Sequence, residues 1–470
     1  MLNKNKSKIL RDLGIKPSGF IRRINNTLIS SLGDKIKIKS IDIKEILQAL
    51  TMKYDVIRTT VNYRDKSINK NRELSLIVKH LRKNYTATDF SHKQTKIHRK
   101  QDNPLEYTKM LFQFIQGSNN GHSGYLVKFY GQENGEIYEE DAGDISLEKL
   151  FLEKTPDYNL IKKAVEAIAA EHSTWTTKMM PSVNELYWIK KEGSFREKLH
   201  EYLDVILNYH EEKLNSLEEN AVNLFFSSLG NYFYENENPE IMKHIGLIHS
   251  NLHLGHVYLK YNKGRTLDDI LKLSKEDLYK EDPAIKIIDL TGMAIGPQIF
   301  DLVDIIKHPV SINAYDYPTQ VSQTNLIDDF VEVYRKKKIE TDLSEAYEAK
   351  IVNGGLEIEK SNKFLSFFLL SNIYRNIRAI SKIALLESNK KNHELYKKYL
   401  KQNPKYPLYL GWYLADLGQT LSYLKTNKFS EYLKSHFKQN LIDNFYNVLG
   451  DHLPGIDGDK VQISKQIINY

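Results

Sequence analysis

The spacing of apolar residues predicts a helix and then a small sheet at the start of the chain. Helical spacing runs from Pro17 to Leu32 and stops at Gly33. Three strand-like runs follow: KIKIKSIDI alternates with a period of two, DVIRTTVNY is rich in β-branched residues, and ELSLIVKHL is a short apolar run that carries Lys79. We therefore expect an antiparallel sheet here.

A second helix and a hairpin are predicted next. In NPLEYTKMLFQFIQG, Asn103 takes the N-cap position, Pro104 the first helical position and Glu106 the capping-box position, and Gly117 ends the pattern. The segment GYLVKFYGQENGEIYEE then carries an Asn-Gly turn between two strand-like runs, which is typical of a β-hairpin.

From Leu147 onward the apolar patterns are mostly helical, including KLHEYLDVILNYHEEKLNSL at 198–217. Strand signals return only in IGLIHS, HVYLKY and AIKIIDL, and the last two are separated by a charged, partly helical insert. The order predicts an α+β protein with two lobes, a small N-terminal antiparallel sheet lobe and a larger, mostly helical C-terminal lobe. We place the lobes at 1–138 and 147–470, with a connector at 139–146.

Composition sets the broad class. The chain has 470 residues, 41% of them apolar, and no cysteine, which excludes disulfides, thiolate metal sites and a cysteine nucleophile. No run approaches the roughly 20 apolar residues of a membrane helix, and MLNKNKSKILRDLG lacks the apolar block of a signal peptide. We therefore expect a cytoplasmic protein without a membrane partner.

The charge is unevenly distributed. Residues 1–100 hold 24 Lys and Arg against 8 Asp and Glu, whereas the remainder holds 43 against 52. Such a basic segment suits the handling of anions. A solvated lysine-rich surface explains it more simply than a nucleic-acid patch, because no RNA-binding aromatic signature or basic repeat accompanies it.

The segments GLIHSNLHLGHVYLKY and IKIIDLTGMAIGPQIFDLVDI resemble the aminoglycoside phosphotransferase and choline kinase superfamily. Its catalytic loop reads approximately His-Gly-Asp-Leu-His-Pro-Gly-Asn and its metal loop Ile-Asp-Phe or Ile-Asp-Trp. The variant His253-Leu254-Gly255 is similar to the maltokinase branch. Glu140 and Asp141 match the family's acidic connector. The resemblance covers roughly residues 45–310 and implies a kinase-like fold.

The resemblance also implies roles for individual residues. Lys79 would bind nucleotide phosphates, with Glu106 as its carboxylate partner, and Glu140 would lie in the nucleotide-binding connector. In the metal loop 289–291, Asp289 would bind Mg²⁺, which prefers oxygen ligands. In the catalytic loop 249–256, His249 would hold the backbone. Asp301 would brace this loop by hydrogen bonds.

Two positions depart from the family pattern. Asn251 stands where the family has its catalytic aspartate, and an amide cannot accept a proton as a carboxylate does. His256 replaces the asparagine that is the usual second metal ligand, and imidazole is a softer ligand for Mg²⁺. The segment ALTMKYDV, which aligns by order with the nucleotide-covering loop, has no glycine.

Several hypotheses follow. The first is a kinase that uses ATP and Mg²⁺ to phosphorylate a hydroxyl of a small molecule, a sugar or an amino alcohol, with Asn251 orienting the acceptor. The alternative is a catalytically impaired pseudokinase that serves as a nucleotide-binding or regulatory module. The third hypothesis for these segments is a zinc site of His253, His256 and Asp289, based on two histidines three residues apart. Trp175, Trp188 and Trp412 offer aromatic faces for a sugar, although helical spacing favours core positions for them.

Overall fold

The structure is a computed structural model, and it divides into two units. It describes residues 4–33, 35–47, 54–81, 124–153, 158–174, 192–234, 245–261, 265–289, 293–309, 329–334, 336–337, 358–388, 396–397, 400–401, 403–425, 437, 440–459, 462–463 and 466–467. The first unit comprises Met1–Gly117, Leu126–Gly143 and Lys286–Thr291. The second comprises Ser118–Tyr125, Asp144–Ile285 and Gly292–Tyr470.

The first unit is built around one five-stranded sheet in the strand order β1-β2-β3-β5-β4, with every neighbouring pair antiparallel. The predicted antiparallel sheet is thereby confirmed. The elements of this unit are α1 (Lys4–Asp12), α2 (Pro17–Leu32), β1 (Ile36–Leu47), β2 (Tyr54–Asp65), β3 (Lys70–Leu81), β4 (Phe129–Glu133) and β5 (Glu136–Glu140).

Helix α2 has the bounds that its apolar spacing predicts. Pro17 occupies its first turn, where a missing N–H costs nothing. Gly33 ends it with φ of 90°, and its N–H donates to the carbonyl of Ile29. The apolar stripe of the helix packs into the core of the sheet, with Phe20 and Ile24 fully buried.

The predicted hairpin is confirmed as β4 and β5. Asn134 and Gly135 connect the strands with φ values of 47° and 82°, the left-handed conformations that an Asn-Gly turn supplies at low cost. Strand β5 pairs with β4 on one edge and with β3 on the other, so it lies between them in the sheet.

A buried carboxylate ties α2 to the sheet. Glu136 at the start of β5 is fully buried, and it accepts hydrogen bonds from Arg23 of α2 and from the hydroxyl of Tyr138. His80 Nδ1 lies 3.3 Å from the same carboxylate. Burial alone would raise the pKa of Glu136, but the bonds from His80, Arg23 and Tyr138 lower it below its ordinary value. Glu136 is therefore a charged anchor inside the unit.

The second unit is mostly helical, which confirms the predicted α+β class with a small sheet part and a larger helical part. Strand β6 pairs with β9 in one two-stranded sheet, and β7 pairs with β8 in another. The elements are α3 (Leu147–Glu153), α4 (Tyr158–Thr174), α5 (Glu192–Tyr209), α6 (Ser216–Tyr234), β6 (Ile245–Ile248), β7 (Val257–Lys260), α7 (Leu267–Leu271), α8 (Lys275–Lys280), β8 (Ala284–Ile287, whose last two residues belong to the first unit), β9 (Ala294–Pro297), α9 (Ile299–Ile306), α10 (Ile358–Ser388), α11 (Tyr406–Leu424) and α12 (Leu441–His452).

Two elements differ from the sequence-based prediction. The helical pattern at 198–217 is divided between two helices, because α5 ends at Tyr209 and α6 begins at Ser216. Asn215 starts the new helix: its side chain accepts from the N–H of Glu218, and the Glu218 carboxylate accepts from the N–H of Asn215. Strand β9 lies in GMAIGP, where no strand was predicted, because its pairing partner β6 is distant in sequence.

Buried polar bonds join the long helices of the second unit. Asp416 of α11 is fully buried and accepts hydrogen bonds from Lys307, from Asn372 and from Asn376 at 2.9, 2.7 and 2.9 Å. Trp412 is fully buried on the same helix, as its helical spacing favours. Across the described residues, none of the helices combines the length and the apolar character needed to cross a membrane.

Candidate functional site

Lys79 is buried in the first unit between two carboxylates. Its ammonium lies 2.9 Å from Glu139 Oε2 and 3.5 Å from Asp289 Oδ1, and only 7% of the residue is exposed. Burial would lower the pKa of Lys79, but the two negative charges outweigh it and raise the pKa above its ordinary value. The lysine is therefore a permanent buried cation.

The pairing of β3 with β5 positions Lys79 against Glu139. Lys79 lies opposite Ile137 in the antiparallel register, so Glu139, two residues further along β5, shares its face of the sheet. Sequence reasoning missed Glu139 and named Glu106 instead, and Glu106 lies outside the described residues. The missed signal is that Glu139 lies two residues from Ile137 on β5, so that both side chains are on one face. The register of β3 against β5 is needed to show that this is the face of Lys79.

Asp289 is held next to Lys79 by the segment that precedes it. Ile287 accepts a hydrogen bond from the N–H of Val127 at 3.1 Å, and Lys286 pairs with Glu140 at 3.1 Å. Asp289 itself has φ of 62°, a left-handed conformation that aspartate tolerates better than most residues. Its side chain is 25% exposed, so its carboxylate oxygens keep access to a ligand.

Glu140 and Asp141 both bind neighbouring parts of the first unit. Glu140 accepts from the N–H of Lys128 at 3.1 Å in addition to its ion pair with Lys286. Asp141 lies 2.9 Å from Arg58 Nε and accepts from the hydroxyl of Ser75 at 2.6 Å. The cofactor-binding role of Glu140 stays a prediction.

Asp301 organises loop 249–256 within the second unit. Its fully buried carboxylate accepts from the N–H groups of His249 and Ser250 at 2.6 and 3.0 Å, and it lies 3.1 Å from His172 Nε2. The predicted bracing role of Asp301 is confirmed. The side chain of His249 is buried, and its catalytic role stays a prediction.

Asn251 contacts a lysine that sequence reasoning missed. Lys382 of α10 donates a hydrogen bond to Asn251 Oδ1 at 3.1 Å. Desolvation by neighbouring protein and the positive charge of Arg378 lower the pKa of Lys382 to about 7, although the side chain keeps access to solvent. The available signal is the helical spacing of Arg375, Arg378 and Lys382, which are three and four residues apart.

Arg378 and His256 fix the backbone around Asn251. Arg378 donates to the carbonyl of Ser250 at 2.7 Å, and His256 Nδ1 hydrogen-bonds to the Asn251 carbonyl at 2.9 Å. His256 belongs to the second unit and Asp289 to the first, so their predicted pairing around Mg²⁺ stays a prediction.

Three imidazole rings lie close together, those of His253 and His256 in loop 249–256 and that of His308. The ring of His253 is 3.9 Å from that of His256 and 6.3 Å from that of His308, measured between centroids. Glu148 of α3 is near both, with Oε2 at 3.7 Å from His253 Nδ1 and Oε1 at 3.9 Å from His308 Nε2. The ligand atoms of Glu148, His253 and His308 lie within 4.8 Å of one another, and this cluster shares only His253 with the predicted set of His253, His256 and Asp289.

No protein family and no curated protein matches the chain. Among solved structures, it is similar to a choline kinase from Cryptosporidium parvum Iowa II, at 10% identity and a TM-score of 0.41 over 82% of this chain and 97% of that one. It is also similar to an ethanolamine kinase from Plasmodium vivax, at 11% identity and 0.36 over 75% and 77%, and to a macrolide 2'-phosphotransferase from Brachybacterium faecium, at 11% and 0.37 over 79% and 96%. Choline kinases are one of the two classes that give the superfamily resembled by the sequence its name.

Proposed function

We propose that the chain is an ATP-dependent phosphotransferase of the kinase-like superfamily that it resembles, acting on a hydroxyl of a small molecule such as a sugar or an amino alcohol. The observation that carries the proposal is the contact of buried Lys79 with Glu139 and Asp289. Phosphoryl transfer needs a cation at the nucleotide phosphates and a carboxylate that binds a divalent ion, and this trio contains both.

The residues around Asp289 fit a divalent cation. Asp289 offers hard oxygen ligands of the kind Mg²⁺ prefers, and its partial exposure leaves them accessible. His256 is the proposed second ligand. Its Nδ1 already hydrogen-bonds to the carbonyl of Asn251. Mg²⁺, when bound, would neutralise phosphate charge. Lys79 would then contact the phosphates while Glu139 holds its ammonium in place.

Lys382 is the proposed proton acceptor in place of the missing aspartate. It lies 3.1 Å from Asn251 Oδ1, so the amide orients the amine rather than taking the proton itself. The acceptor O–H bond breaks as its oxygen bonds to the γ-phosphorus, the proton moves to Lys382 Nζ, and ADP leaves with the electron pair of the broken P–O bond. A lowered pKa leaves part of the lysine neutral near pH 7, as a general base requires.

Calorimetry with ATP, in the presence and absence of Mg²⁺, tests the nucleotide part of the proposal. We expect ATP binding that strengthens with Mg²⁺ and that Lys79→Met and Asp289→Asn weaken. Lys44→Met is the matched control, because Lys44 is an exposed lysine on β1 of the same sheet. Equal ATP affinity in all four proteins would contradict the proposed site.

A screen of sugars and amino alcohols tests the chemistry, with release of ADP and a phosphorylated product as the readouts. We expect turnover with at least one acceptor. Tight Mg²⁺-dependent ATP binding without transfer to any acceptor would contradict a kinase activity and favour the pseudokinase hypothesis.

A further inference from the structure

Glu148, His253 and His308 come together from three separate segments of the second unit. Glu148 lies on α3, His253 in loop 249–256, and His308 two residues after α9. Each offers one ligand atom, and the three atoms lie within 4.8 Å of one another. Three side chains from distant parts of the chain thus face one point.

The charge of Glu148 is not balanced by any cationic side chain in the described part of the protein. The carboxylate of Glu148 lies near the two imidazoles and accepts a hydrogen bond from the hydroxyl of Tyr409 at 3.5 Å. A carboxylate and two imidazoles therefore lie together, with no lysine or arginine paired to the carboxylate among the described residues.

Gly255 provides the room for this carboxylate. A Cβ atom at position 255 would lie 2.6 Å from Glu148 Oε2 and 2.7 Å from His253 Cε1, so any larger residue would push the two side chains aside. The position needs no left-handed backbone, so close approach is the physical reason that we find for a glycine here.

We propose that Glu148, His253 and His308 bind a divalent transition-metal ion, with Zn²⁺ as the ion whose preferred ligands they match. Two imidazoles and one carboxylate are a zinc ligand set, whereas Mg²⁺ favours oxygen ligands. The ligand set shares no residue with Asp289 and His256, and the proposal does not depend on the proposed phosphotransferase activity.

The observed distances are close to those of a metal site. Zinc–ligand bonds of about 2.0 Å place tetrahedral ligand atoms roughly 3.3 Å apart. Glu148 Oε2 is 3.7 Å from His253 Nδ1 and Glu148 Oε1 is 3.9 Å from His308 Nε2, so both separations are within about 0.6 Å of that spacing. Binding through His253 Nδ1 replaces the hydrogen bond that this atom accepts from the N–H of Gly255 at 3.1 Å.

A metal at this point would have two consequences. It would link α3, loop 249–256 and the end of α9, and so stabilise the loop that carries Asn251. The side chains of Glu148 and His253 are 22% and 38% exposed, which leaves a path for the ion and room for a water as fourth ligand.

Calorimetry with ZnCl₂, on the full chain without an affinity tag and stripped by a chelator, tests the proposal. We expect one Zn²⁺ per chain and a higher melting temperature with the metal, both in the absence of nucleotide. Co²⁺ should give the intense visible absorption of a tetrahedral site. Because no nucleotide or acceptor is present, failure here is separate from failure of the phosphotransferase proposal.

Glu148→Gln, His308→Gln and Gly255→Ala should each weaken Zn²⁺ binding, about 100-fold for the two ligand substitutions. His452→Gln is the matched control, since His452 lies between the carboxylates of Glu212 and Glu218 with a different nitrogen facing each. Circular dichroism shows whether each variant is folded. If the variant of the buried His308 does not fold, the Zn²⁺ affinity of Glu148→Gln tests the proposal. The absence of stoichiometric binding, or unchanged binding in Glu148→Gln, overturns the proposal.

Discussion

Lys79 and Asp289 are 210 residues apart in the chain, and Lys79 Nζ lies 3.5 Å from Asp289 Oδ1. The contact joins a strand of the sheet to a residue two positions after β8, and both residues belong to the first unit. Sequence reasoning named these two residues separately, one for phosphate and one for metal. Their proximity supports the proposal that the two roles belong to one site.

Lys79→Met should destabilise the protein by about 3 kcal/mol, because it leaves the carboxylate of Glu139 buried without its cation. Urea denaturation measures the loss. Adding Glu139→Gln to Lys79→Met should restore part of the stability, because the uncompensated charge is gone. Lys44→Met should stay within about 0.5 kcal/mol of the parent chain. Equal losses in the single and double variants would argue against a buried ion pair.

Lys382→Met should reduce phosphoryl transfer about 100-fold or more, with little change in ATP affinity, because the role proposed for this lysine is to accept a proton from the acceptor rather than to bind the nucleotide. The measurement is kcat beside ATP binding, with the acceptor that the screen identifies. Lys397→Met provides the comparison at a lysine outside the proposed machinery. A Lys382→Met enzyme with full kcat would remove the lysine from the mechanism.

The pH profile tests the same role. The groups that act on Lys382 are Arg378 on α10, Asp304 on α9 and Asn251, and His253 lies in the same electrostatic neighbourhood. A base works in its neutral form, so activity should rise as pH increases through about 7 and then level off.

Asn251→Asp distinguishes an adapted kinase from a decayed one. A carboxylate at this position would raise the pKa of Lys382 and keep it charged, and the carboxylate would itself accept the proton. The rise of activity should then move to lower pH. A large gain in activity at neutral pH would instead favour the pseudokinase hypothesis, in which loss of the aspartate abolished turnover.

Asp301→Asn should destabilise the second unit by about 2–3 kcal/mol. An amide has one accepting oxygen and a donating nitrogen, so it cannot accept from the N–H groups of His249 and Ser250 and also serve His172. Thermal unfolding measures the loss. Asp204→Asn, at an exposed position on α5, is the control, and a similar stability in both variants would contradict the bracing role.

His452 should make stability depend on pH. Its hydrogen bonds to Glu212 and Glu218 raise its pKa above the ordinary value of 6.5. A raised pKa means that the stabilisation is complete below 6.5 and is lost as pH rises through the pKa of the folded protein. His452→Gln should therefore cost more stability at about pH 5.5 than at about pH 8.5. Denaturation curves at both values check this, and a pH-independent difference would contradict it.

The sequence predicts the sheet well because its signals are local. Helix α2 has its predicted bounds, since Pro17 and Gly33 each favour one backbone conformation. The hairpin of β4 and β5 likewise follows from an Asn-Gly turn. The residues of loop 249–256 and Asp289 were identifiable because they occur in recognisable motifs.

The missed residues depend on contacts between distant segments. Glu139 stands in a run of acidic residues, and only the register of β5 against β3 selects it as the partner of Lys79. Lys382 reaches Asn251 from 131 residues further along the chain. The break between α5 and α6 was missed because apolar periodicity continues through it, although Asn215 and Glu218 carry the capping signal.

The bond between Arg23 and Glu136 has a consequence for the basic start of the chain. A version lacking the first 32 residues would retain Glu136 inside the sheet with its guanidinium partner removed and the apolar side of the strands uncovered. Such a truncated protein should fail to fold. The cationic residues of α1 and α2 therefore belong to an integral piece of the folded unit and cannot be treated as a detachable cationic arm.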